Sequence, residues 1–126
     1  MNDVIQEWIA KSDGDFNTAE REMVARPPNY DAVCFHCQQC IEKLLKGILI
    51  ARGVSPPKLH DLVELNRLLV SSEKSWNWPD EDMRLLTHAA VSFRYPGEFA
   101  GAEEAQAALN VCGKLRRRLM SLLHHS

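Results

Sequence analysis

Apolar residues recur every three to four positions through most of this chain, the spacing of helices with one buried face. From Asn2 to Ala25 the recurring positions are Ile5, Trp8, Ser12, Phe16, Ala19 and Met23, which predicts a first amphipathic helix. Gly14 weakens its middle by roughly 1 kcal/mol relative to Ala. Pro27 and Pro28 end it, because a proline inside a helix loses an N–H and clashes with the preceding turn. Tyr30 to Arg52 predicts a long second helix. At about 100° per residue, Cys34, Cys37, Ile41, Leu44, Leu45 and Ile48 form one apolar stripe along it. Gly53 is placed to close it. Val54 to Leu59 contains Pro56 and Pro57 and predicts a stiff linker.

His60 or Asp61 then caps a short third helix, roughly Leu62 to Val70. Ser71 to Pro79 is expected as a loop carrying Trp76 and Trp78. Asp80 is expected to cap a fourth helix running through about Phe93, with Met83, Leu86 and Ala90 inward. The run Arg94-Tyr95-Pro96-Gly97 breaks that helix. A last helix runs from about Ala102 to Leu123, with Ala105, Ala108, Leu109, Cys112, Leu115, Leu119 and Leu122 inward. No segment alternates with period two, so no sheet is expected. The fold class that follows is all-α, an up-and-down bundle of three long and two short helices forming one domain over residues 1–126.

Composition changes this picture little. Hydrophobic residues at 45% and charged residues at 25% are ordinary for a globular domain, and a net charge of −2 demands no nucleic acid. No run of 18 uncharged apolar residues occurs, so no membrane span is expected. The N-terminal stretch MNDVIQEWIAKSDGD carries early acids and lacks a long apolar core, unlike a secretory signal, which makes the cytoplasm the expected location. The four cysteines are expected to stay reduced there.

Several constellations carry possible chemistry. Cys34-x2-Cys37-x2-Cys40 resembles metal-ligand spacing, but on a helix these residues fan over about 120°, with about 9 Å of rise from first to last. They are expected to pack as small apolar groups, and no metal or other cofactor is called for. A second, narrow stripe of Phe35, Gln39, Glu42 and Lys46 lies beside the apolar one. It reads either as a solvated face with an ordinary Glu42–Lys46 pair or as a functional file. His60 either caps a helix with Asp61 or lines a cleft. Arg94 with Tyr95 either satisfies terminal carbonyls or offers a planar fork to phosphate with a ring to stack. Lys114, Arg116, Arg117 and Arg118 form a basic cluster that suits a solvated helix end or nucleic-acid contact. His124 and His125 read as a frayed tail. No phosphate-binding glycine loop, zinc-protease motif or nucleophile elbow occurs, so no catalytic triad is assigned.

Taken together, Trp8 with Lys11, then Ala32-x2-Phe35-x3-Gln39-x2-Glu42-Lys43-x2-Lys46, His60-Asp61-Leu62 and Arg94-Tyr95-Pro96 resemble the HEPN domain family (higher eukaryotes and prokaryotes nucleotide-binding) in content and order. The resemblance covers nearly the whole chain. It implies a helical bundle that pairs as a homodimer with a groove near the pairing surface. It also implies one of several roles: a ribonuclease, often a toxin of a toxin–antitoxin pair, a nucleotide binder, or a non-catalytic partner of a small nucleotidyltransferase. The nuclease branch carries an Arg followed four to six residues later by a His. After Arg94 the residues are Tyr95, Pro96, Gly97, Glu98, Phe99, Ala100 and Gly101, with no His. Arg84 and His88 are one helical turn apart with only three residues between them, a fortuitous near-match.

The expectation is therefore a non-catalytic module that binds a nucleotide or RNA phosphate in a dimer groove. Arg94 and Lys46 would hold phosphate, Gln39 and Glu42 would contact base or ribose, Tyr95 would stack and His60 would line the rim. A metal-independent ribonuclease using Arg94 with a displaced His60 is the first alternative, and a purely protein-interacting module is the second. Trp76, Trp78 and Tyr95, as large apolar groups in loops, are the single-chain signal for the dimer.

Overall fold

The computed structural model describes residues 2–124. Among these residues there are five helices and no strand: α1 (Asp3–Val24), α2 (Tyr30–Ala51), α3 (Leu62–Ser72), α4 (Asp80–Ser92) and α5 (Ala102–His124). His124 is the last helical residue, and His125 lies outside the described residues. The fold is an all-α helical bundle.

Every helix begins within a residue of its expected start, and the ends have local causes. Asn2 caps α1 by accepting from the Ile5 N–H at 2.9 Å, and Asn29 caps α2 by accepting from Ala32 at 3.0 Å. Asp61, rather than His60, caps α3 through the Val63 N–H at 2.9 Å. Asp80 does not cap α4. Pro79 occupies that position with no side-chain bond, and Asp80 stands inside the first turn, where its charge suits the helix dipole. Gly53 follows α2 with φ +79°, a left-handed conformation open to glycine.

The second helix is the axis of the molecule and touches all four others. Its stripe of Cys34, Cys37, Ile41, Leu44, Leu45 and Ile48 is completely buried. The three cysteines of the run therefore pack as core residues. On the adjoining face of α2, marked by His36, Cys40, Lys43 and Gly47, α1 runs antiparallel. Gly47 is the point of closest approach, where an added Cβ would lie 3.0 Å from the Trp8 Cβ. The Ser12 hydroxyl, buried in the same interface, donates to the Cys40 carbonyl at 2.8 Å.

Successive helices reverse direction at every connection but one. Val54 bonds back to Leu49 and Glu73 pairs with Arg52, whereas His60 lies against Glu42. The linker 54–61 thus returns along α2, and α3 runs in the same sense as α2. From Val54 to His60 an extended chain covers about 19 Å, enough to span the roughly 10 Å of helix rise between Leu49 and Glu42 together with a lateral step. Pro56 and Pro57 favour that extended form.

The aromatic loop differs from its expected role. Helix α3 continues to Ser72, and Trp76 is buried, donating its indole N–H to Asn66 at 2.8 Å and stacking on Trp78 at 5.5 Å. Trp78 is half-buried and donates to Asp82. Trp76 thus belongs to the packing of α3 on α4, and Trp78 keeps part of its surface open beside it. Tyr95 alone of the three is exposed.

Candidate functional site

The narrow stripe on α2 is buried at its Glu42–Lys46 end and partly exposed at Phe35 and Gln39. Glu42 and Lys46 are 4% and 7% exposed and form an ion pair at 3.1 Å. Two buried charges are stable only when every oxygen and proton is partnered. Glu42 meets that condition. Its carboxylate accepts from Gln38 Nε2 at 3.0 Å, from Lys46 Nζ at 3.1 Å, and from His60 Nδ1 at 3.1 Å to each oxygen. Burial pushes the Glu42 carboxyl up, but the hydrogen bonds from Gln38, His60 and Lys46 outweigh it and hold the group below the usual carboxylate range. An ionised Glu42 accepts only, so Nδ1 of His60 carries a proton in this contact and Nε2 takes no part in it.

Gln38 fixes this arrangement. Its amide donates to Glu42 and also to the His60 carbonyl at 2.9 Å, fastening the end of the linker to α2. Gln39 in turn donates to the Gln38 carbonyl oxygen at 2.8 Å. Gln38 was not part of the stripe read from the sequence. Its signal was the i,i+4 relation to Glu42, which puts both on one face.

Beside this network runs a groove of about 550 Å³. Phe35, Gln38 and Gln39 of α2 line one wall, His60 and Asp61 of the linker close an end, and Thr87, Val91 and Arg94 line the other wall. Thr87 accepts from the Leu62 N–H at 3.2 Å, which pins α4 to the start of α3. The Arg94 guanidinium lies over the Phe35 ring at 5.6 Å. The loop that carries Arg94 is tied down where the Ala100 N–H donates to Asp31 at 2.7 Å.

Of the six residues singled out in the sequence, Gln39, His60 and Arg94 line the groove. Glu42 lies behind His60 as its hydrogen-bond partner. Lys46 does not reach the groove; burial and the pair with Glu42 remove it as a phosphate contact. Tyr95 is 59% exposed on the turn beside Arg94 and does not line the groove. The basic cluster is dispersed: Arg116 pairs with Asp13 at 2.9 Å and lies over Phe16, while Arg118 lies over Trp78. His88 meets Ser92 on the exposed face of α4 and is unrelated to the groove.

A family model for the HEPN domain matches residues 5–122, spanning the groove and all the helices that build it. The chain belongs to the HEPN domain family. Two solved structures share this HEPN fold. TT1696 from Thermus thermophilus is 23% identical with a TM-score of 0.77, over 95% of this chain and 98% of that one. ST0689, an archaeal HEPN homologue, is 22% identical with a TM-score of 0.66, over 97% of this chain and 98% of that one. No curated protein matches the chain. No helix among the described residues is long and apolar enough to cross a membrane.

Proposed function

We propose that this HEPN domain is a binding module that takes a nucleotide or RNA phosphate in the groove between α2 and α4. The observation that carries the reading is Arg94. Its guanidinium is exposed, held over Phe35, and has no carboxylate partner among the described residues. A planar fork held ready on an aromatic face suits a phosphate oxygen pair. Gln39 and His60 Nε2 supply polar contacts to base or ribose. Glu42 and Lys46 hold His60 from behind, and Tyr95 offers a ring at the rim. In this reading the module acts in the cytoplasm.

The test is a thermal-shift screen against nucleotides and short RNA. A ligand at 100 times its dissociation constant adds about 2.7 kcal/mol to the native state, a readable shift. The shift is expected to vanish in Arg94→Ala. A shift that survives that change would remove Arg94 as the contact.

We also propose that the module pairs as a homodimer and works with a nucleotidyltransferase or toxin–antitoxin partner. Supporting the pairing are Val91, Tyr95 and Phe99, exposed by 52%, 59% and 77% and within five residues of Arg94 in the chain; the partner follows from the family resemblance alone. Sedimentation at tens of micromolar is expected to give a dimer, and a monomer would refute the pairing. One observation favours a second, catalytic reading. His60 donates to a buried carboxylate and keeps Nε2 free, the arrangement of a general base. That reading requires RNA cleavage that is insensitive to chelators and lost in His60→Ala.

A further inference from the structure

The Arg94–Phe35 stack has a second groove on its other side. It measures about 400 Å³ and shares Phe35, Ala90 and Arg94 with the first. Its remaining wall includes Asn29, Asp31, His36 and Phe93. His36 is as firmly set as His60. Its Nδ1 lies 2.8 Å from Asp15 Oδ1, and Asp15, itself buried, takes Lys43 on its other oxygen at 2.6 Å. The carboxylate can only accept, so His36 Nδ1 donates to it and Nε2 is left over. The His36 ring also stands edge-on to Phe35, with centroids 5.2 Å apart.

Each side is lined by one aspartate around the same central cation, Asp61 in the first groove and Asp31 in the second. The second differs in its aromatic surface, which Phe35, His36 and Phe93 supply. A neutral nucleobase fits those walls. The first groove, lined by Gln39 and His60, also takes base or ribose. Arg94 is the one cation common to both.

We infer that the two grooves are consecutive nucleoside subsites of a single site, joined by one phosphodiester on Arg94. The minimal ligand is a dinucleotide step of single-stranded RNA, with His36 and Phe93 holding the second base. This rests on the reading that Arg94 takes phosphate.

The test compares homodinucleoside phosphates (ApA, CpC, GpG and UpU) with the methyl esters of the matching 5′-mononucleotides. Both carry one phosphate charge, so a difference reports the second nucleoside. At least one dinucleoside phosphate is expected to bind about tenfold tighter than its ester, the gain that one stacked base provides. His36→Ala should remove that gain and leave the ester unaffected. Ala32→Phe, which fills the second groove without deleting a contact, should do the same, which guards against a folding defect in the first variant. Arg94→Ala should weaken both ligands. Equal affinities, or a gain that survives both groove variants, would overturn the two-subsite inference and leave the phosphate reading standing. If neither ligand binds the wild-type protein, or Arg94→Ala changes neither affinity, both readings fall.

Discussion

Glu42 carries its charge where α2 is otherwise packed in the core, and that placement has measurable consequences. Its carboxyl is held below the usual range, so its folded pKa lies under the unfolded value of about 4.3. The stabilisation is therefore full above that unfolded value and is lost as pH falls through the folded one. Glu42→Gln mimics the protonated side chain. The gap in urea midpoint between wild type and this variant should be present above the unfolded value of about 4.3 and narrow as the pH falls below it. Glu42→Ala is a harsher change, because it leaves Lys46 buried without its partner. A loss of about 3–5 kcal/mol is expected, and Glu42→Leu with Lys46→Met should cost less than Glu42→Ala alone. In the sequence, the file of Gln39, Glu42 and Lys46 was legible as a pattern, but the burial of Glu42 and Lys46 was not. A Glu–Lys pair at i,i+4 reads the same in water as in a core. The difference is made by Gln38 and by His60 arriving from 18 residues away.

Among the elements, α1 and α2 show how one glycine sets a distance. Gly47 lets the two backbones meet at Trp8, where a Cβ would sit 3.0 Å from the Trp8 Cβ. Alanine has the better helix propensity by about 1 kcal/mol, but the atom it meets is the stem of a side chain and has little room to yield. Gly47→Ala is expected to lower the melting temperature. Gly14 has no atom within 4 Å of an added Cβ, so Gly14→Ala on the same helix pair should raise it, by up to about 1 kcal/mol of stability. Calorimetry on the two variants checks both signs. The periodicity of apolar residues located all five helices because it is a local property of each segment. Trp76 and Trp78 escaped it. A loop tryptophan looks like an exposed anchor until Asn66 and Asp82 are seen to satisfy the two indoles. Helix direction escaped as well, since the same stripe serves a helix running either way.

At the scale of the whole molecule, the four thiols report on its cohesion. All four cysteines are buried, free and shared between α2 and α5. Burial, followed by the neighbouring Cys37, Asp31 and Glu104, pushes the Cys34 thiol up to about 12. Hydrogen bonds with Cys37 and Cys40, and then burial, raise Cys112 as well. Neither forms the reactive thiolate near neutral pH. The hydrogen bond with Cys112 lowers the Cys40 thiol despite its burial, so for that residue protection rests on exclusion from solvent. With all four completely buried, native protein should resist a thiol reagent, and all four cysteines should label together at the rate of global opening. Early labelling of Cys112 alone would mean that α5 detaches first.

The returning linker adds a consequence of another kind. It makes no layer of the bundle, yet it delivers His60 to Glu42 and Asp61 to the start of α3. Lengthening it by a residue or two would leave the helices packed as they are and slacken the hold on His60 alone. The mouth of the groove is in effect gauged by a count of peptide units, so insertions and deletions between Val54 and Leu59 would retune this surface more directly than most point substitutions in the helices.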